Sequence, residues 1–190
     1  MLSQTIGPEG WSQEDVLESL SLLALDRSDY ARAESYGQQA LDMTGKLGAE
    51  NSLKASALKV DIGLAREFQL DAARSEPLFR QAIEIDKAIL TPGSPALISA
   101  ETRLGEALVI QGKPGLAESL LRNAVAAAPR PPFPLLPWQI AEPESALGVF
   151  LAKLGRSSEA TNLLQHNRTA LAQIPQSALR RWNQEFRARL

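Results

Sequence analysis

The chain contains no cysteine, one histidine (His166) and few aromatic residues, 5% of 190. The lack of cysteine excludes disulfides and thiolate metal sites, and it is compatible with a reducing cytoplasm, where we expect the protein. With one histidine, a nucleophile–histidine site could only use His166, and no catalytic motif surrounds it. No run of about 18 apolar residues is present, so no membrane-spanning helix is expected. The first ten residues have neither a basic start nor an apolar stretch, unlike a secretory signal. The formal net charge is −2, without the basic excess that nucleic-acid binding usually needs.

Known site motifs are also missing. Gly45-Lys46 lacks the glycine five residues earlier and the following Ser or Thr of a phosphate-binding loop. No calcium loop and no dinucleotide glycine fingerprint occurs. We therefore expect no cofactor, no metal and no enzyme activity.

What the chain does have is a hydrophobic fraction of 44%, rich in alanine and leucine, and an internal period. Ala33-Glu34-Ser35-Tyr36-Gly37-Gln38-Gln39-Ala40-Leu41 is echoed by Ser75-Glu76-Pro77-Leu78-Phe79-Arg80-Gln81-Ala82-Ile83, 42 residues on. A third copy starts another 42 residues on at Ala117, and a weaker fourth starts 43 further at Ala160. A second marker keeps the same phase. Ser21, Gly63, Gly105 and Gly148 each lie 12 residues before a copy and follow a large aliphatic residue. Each unit reads as two antiparallel helices with an apolar stripe, in which the small residue of the first helix and the alanine of the second allow close approach. Such units bury their stripes by stacking.

The third unit reads Leu104-Gly105-x2-Leu108 and then Ala117-x3-Leu121; the second reads Ile62-Gly63-x2-Arg66 and then Ser75-x3-Phe79. These residues resemble the tetratricopeptide repeat, in the longer form found in kinesin light chains. Leu90-Thr91-Pro92-Gly93-Ser94-Pro95 resembles the linker between such repeats, and Lys46 to Asn51 a degraded copy of it; Gln111-Gly112-Lys113 resembles the turn within one. Two copies depart from the pattern. The second-helix aromatic is Gly37 in the first and Leu164 in the fourth, and Ser21 stands where glycine is expected, which suits end repeats.

The resemblance implies an all-α, right-handed superhelix of about four helix-turn-helix repeats plus a C-terminal capping helix. The expected organisation is a lead-in over 1–12, repeats over about 13–52, 53–95, 96–139 and 140–173, and a cap over 174–190. Helices are expected near 12–27, 30–47, 53–69, 72–90, 95–111, 114–128, 140–154 and 157–173, with Ser12 as the first N-cap.

Two segments keep two readings each. Pro129 to Pro137 holds five prolines, cannot be helix, and is either a stiff linker or a ligand for a proline-recognising domain. Leu179, Trp182, Phe186 and Leu190 share a helical face beside Arg180, Arg181, Arg187 and Arg189. That helix either caps the last repeat or binds a membrane or partner.

The resemblance further implies a protein-interaction scaffold or adaptor whose first helices line a concave groove. Counted from the glycine marker, the groove would present Asp15, Glu18 and Leu22; Asp61, Leu64 and Glu67; and Thr102, Arg103, Glu106 and Val109, with Glu142 and Ser145 in the fourth repeat. It lacks the paired asparagines and lysines with which chaperone-binding relatives clamp a carboxylate. The carboxylates either keep an exposed surface soluble or favour a peptide or helix with apolar anchors and basic residues. Other readings are a regulatory or sensor domain of a larger bacterial kinase or transcription regulator, a self-assembling structural protein, and an enzyme with a carboxylate site hidden in the groove.

Overall fold

The computed structural model describes the backbone of residues 12–128 and 137–172, and the side chains of 12–128 and 141–165. Among the described residues it is helical throughout: α1 (Gln13–Asp26), α2 (Tyr30–Lys46), α3 (Leu53–Phe68), α4 (Ala72–Ile89), α5 (Pro95–Ile110), α6 (Pro114–Ala127), α7 (Pro137–Lys153) and α8 (Ser157–Ala172). The other residues of the proline-rich segment and the capping helix expected over 174–190 lie outside the described residues, as does the His166 side chain. The helix bounds follow the sequence reading except at α7, which starts at Pro137 and not at residue 140. Proline is well suited to a first helical position, because its missing N–H would have had no helical partner there.

The chain forms two compact units, Met1–Asp86 and Lys87–Leu190, divided inside α4. In unit 1, Ser12 caps α1 as expected. Asp15 N donates to Ser12 Oγ at 3.1 Å, and Ser12 N donates to Asp15 Oδ2 at 3.0 Å, which closes a capping box. Ser52 caps α3 through the N–H of Ala55 at 3.2 Å.

The tight turn inside each repeat recurs in phase. Ser28, Leu70, Gly112 and Gly155 all have positive φ, between 58° and 74°. Each closes the same pair of bonds onto the helix before it. In the second repeat, Leu70 N donates to Glu67 O at 2.9 Å and Asp71 N to Arg66 O at 3.0 Å; in the third, Gly112 N donates to Val109 O at 3.0 Å and Lys113 N to Leu108 O at 2.9 Å. Glycine holds this left-handed conformation without strain, whereas Leu70 holds it at a cost. The Leu70 side chain is 76% exposed, so it recovers little by packing. Leu70→Gly is therefore expected to stabilise the protein by about 1 kcal/mol. Urea unfolding would check this, and an unchanged or lower midpoint would mean that Leu70 packs more than its exposure indicates.

Close helix packing comes from one contact, repeated. A Cβ added to Gly63 would lie 2.5 Å from Phe79, one on Gly105 2.7 Å from Leu121, and one on Gly148 2.9 Å from Leu164. The partner is 16 residues downstream in each case. The seat for the first-helix glycine is thus the large residue at the aromatic position. The first repeat keeps the pair and exchanges the roles. Ser21 faces Gly37, where a Cβ would sit 3.2 Å from Ser21 Oγ and 2.8 Å from Ile62 Cγ1. With no large side chain on α2, α1 tolerates a hydroxyl, and Ser21 Oγ donates to Ala33 O at 2.8 Å, so the buried polar group is satisfied. The two departures in that repeat therefore compensate one another.

Candidate binding surface

In unit 1 the first helices of the two repeats, α1 and α3, meet at a cluster of charge. Lys54 of α3 pairs with Asp15 of α1, and its Nζ lies 3.7 Å from Glu14 Oε2 and 3.6 Å from Glu18 Oε2. The hydrogen bond from Lys54, followed by those from Ser12, holds the Asp15 carboxyl down at about 2. Partial burial alone would lower Lys54, but the bond to Asp15 and the charges of Glu14, Asp15 and Glu18 outweigh it and raise its pKa. Asp61, two turns further along α3, has no hydrogen bond or ion pair among the described residues. Its half-buried carboxyl loses hydration and faces the charge of Glu18, which together push it up to about 7. Three carboxylates, Glu14, Asp15 and Glu18, thus share one ammonium, and Asp61 adds a fourth carboxyl beside Glu18. Leu22, 46% exposed, and the half-buried Leu64 lie at two other expected groove positions of these helices.

The remaining expected groove residues are placed differently. Glu67 is buried at the end of α3. In unit 2, Thr102, Arg103 and Glu106 of α5 are buried as well, and do not face solvent as the sequence suggested. Thr102 Oγ1 bonds back to Ile98 O at 2.8 Å within its own helix. Arg103 Nη1 donates to Glu106 Oε2 at 2.7 Å, and Nη2 donates to Glu142 Oε1 on α7. Burial pushes Glu106 up to about 7 against the opposing pull of Arg103, and its Oε1 accepts no hydrogen bond. Val109 is half-buried and packs on a core cluster that includes Leu121, Leu147 and Phe150. This group ties α5 to α7 and offers little to a ligand. The physical reason is the pairing itself: Glu106 of the same helix and Glu142 of α7 neutralise an arginine that could otherwise not be buried.

Lys54 and Glu14 were missed by the sequence reading. A fixed set of four positions per helix leaves out a lysine near the start of α3, whose long stem reaches across to α1.

The other ion-pair networks are balanced or cation-rich. Glu34 accepts from Arg66 at 2.9 Å and from Arg74 at 3.1 Å in unit 1. Glu118 and Glu159 share Arg122 and Arg156 in unit 2. Partly exposed pairs of this kind each contribute at most about 1 kcal/mol. Among the described residues, only the α1–α3 cluster combines apolar exposure with surplus negative charge. No group of three or more His, Cys, Asp or Glu among the described residues could hold a metal ion. No helix among them is long and apolar enough to cross a membrane.

The arrangement of helical hairpins has counterparts in known structures. The chain is similar to BtubC (BKLC) from P. vanneervenii, at 17% identity and a TM-score of 0.69, covering 85% of this chain and 66% of that one, just under two thirds of its length. The fold is of the tetratricopeptide-like repeat type. It is also similar to the nearly identical TPR-like repeats of a putative kinesin light chain from Podosopora anserina: 18% identity and TM-score 0.65 for a variant form, over 83% of this chain and 72% of that chain. A second structure of those repeats gives 16% and 0.57, over 85% and 96%. No protein-family model and no curated protein matches the sequence.

Proposed function

We propose that the chain is a protein-interaction module, not an enzyme, and that unit 1 holds a peptide or partner helix bearing apolar anchors and basic side chains on its α1–α3 face. The observation that carries this reading is the charge imbalance there: Asp15 and Glu18, backed by the buried Glu14, surround Lys54, and Asp61 adds a further carboxyl beside Glu18, next to the exposed Leu22. A lysine or arginine from a ligand would relieve the repulsion between Glu18 and Asp61, and its apolar neighbours would cover Leu22 and Leu64. The repeat fold, which serves in many proteins to present helices to partners, supports the same reading.

The reading has a pH signature. Asp61 carries a proton below about pH 7, and a cationic ligand favours its ionised form. Binding then releases that proton, and affinity rises with pH through 7. The test uses two amphipathic helical peptides of equal length, one Leu/Lys and one Leu/Glu, titrated by fluorescence anisotropy. The basic peptide should bind at least roughly tenfold tighter, and more tightly at pH 8 than at pH 6. Asp61→Asn should remove the pH dependence. Equal affinity for both peptides, or no binding of either, would refute the proposal.

A further inference from the structure

Successive residues of α1 are turned by about 100°, which sorts its side chains onto three faces. One, with Glu14, Ser21 and Ala24, is buried inside unit 1. A second carries Asp15, Glu18 and Leu22 of the surface above. The third is a stripe at positions i, i+4 and i+7 that carries Val16, Leu20 and Leu23, which are 45%, 36% and 44% exposed.

The repeat gives this third face a meaning. Its phase equivalents are Leu58, Ile62 and Ala65 in α3, Ala100, Leu104 and Ala107 in α5, and Pro143, Leu147 and Phe150 in α7. All nine are buried. Where the covering element lies in the same unit, it is the second helix of the preceding repeat. In unit 1, Ile62 of α3 rests on Gly37 of α2, and Ala65 clusters with Ala33. In unit 2, Leu147 and Phe150 of α7 cluster with Leu121 of α6. On α2 the residues that meet this face, Ala33 and Gly37, are small, and they belong to a buried stripe that continues through Ala40 and Thr44. The face that seats on these residues in α3 is left exposed on α1 among the described residues.

We infer that the Val16–Leu20–Leu23 face of α1 docks an amphipathic helix of a partner protein that presents a small-residue stripe of the α2 kind, with a glycine or alanine under Leu20. This is a second binding face, separate from the acidic one. The stripe contains no charged side chain, so it suits a dry contact between helices. A second copy of the chain is a poorer occupant. Three half-exposed aliphatic side chains on a helix about 21 Å long fall well short of the roughly 800 Å² per partner that a stable dimer buries.

The probe is a helix-stapled synthetic peptide of residues 29–47, the chain's own α2, added to the intact chain. Its staple is placed on the face away from Ala33 and Gly37. Saturable binding is expected. Leu20→Glu in the chain should weaken it at least roughly tenfold, as should Gly37→Leu in the peptide. Leu116→Glu, a change at an exposed leucine of α6, should leave it unchanged. Circular dichroism establishes that each variant is folded. No binding up to roughly 1 mM peptide would overturn the inference, and so would equal binding by Leu20→Glu. A concentration-dependent doubling of mass in sedimentation that Leu20→Glu abolishes would assign the face to a second copy and overturn it as well.

Discussion

Arg103→Met should cost about 3–5 kcal/mol of stability, among the largest losses expected from a single substitution in this chain. Arg103 is almost wholly buried between Glu106 on its own helix and Glu142 on α7. Methionine has about the right length and fills the space, so packing is kept while the charge is removed. Two glutamates are then left in a dry site, Glu106 with an oxygen that already lacks a donor. Both must take up protons to remain buried, so the loss deepens as pH rises. The wild type shows part of this dependence. The folded Glu106 pKa of about 7 stands above the ordinary value of 4.5, so the native state keeps a proton that the unfolded chain releases. Stability falls from pH 4.5 up to about 7 on that account, and flattens above it. Urea denaturation of Arg103→Met at pH 5 and pH 8 measures both effects. The triple variant that adds Glu106→Gln and Glu142→Gln should recover a large part of the loss. A change below about 1 kcal/mol at both pH values would show that water reaches the cluster and that it is not a buried ion pair.

Phe79→Ala should cost about 3–5 kcal/mol, the range for emptying a buried aromatic site. Phe79 is fully buried, and its ring lies where a Cβ on Gly63 would go. Gly63→Ala on its own would ordinarily stabilise a helix by about 0.5–1 kcal/mol. Here the clash reverses the sign, because the nearest atoms belong to a rigid ring in a filled core, and a cost of about 1–3 kcal/mol is expected. The two changes are coupled. With the ring gone, the alanine methyl at 63 occupies part of the vacated space, so the double variant should be less destabilised than the sum of the singles by at least about 1 kcal/mol. Strict additivity would show that α3 and α4 do not press together at this point.

The contrast between these sites shows what could be read from the sequence. The glycine marker and the copies it precedes sit at fixed phase because the backbone of α3, α5 and α7 must come close to the helix that follows, so a chain of letters records the hairpins directly. Ser12 and the linkers were legible for a similar reason, since capping and left-handed turns need particular residues at particular places. Exposure was less legible. Glu106 and Asp61 belong to the same kind of helix face, yet one is enclosed by an ion pair and the other is half-buried near Glu18. The difference is made by Glu142, on a separate helix 39 residues from Arg103, which helical phase cannot announce. Ser21 and Gly37 looked like two separate lapses from the pattern. They are one exchange across a contact, visible only when the helices are put together.

The 16-residue interval between each first-helix small residue and its partner has a kinetic consequence. These close contacts are made by closing short loops, and loop-closure entropy grows only with the logarithm of loop length. Topologies rich in such local contacts fold quickly for their size. Each hairpin can therefore form its seat early, before stacking on a neighbour, and the slow events in folding should be those that join one hairpin to the next.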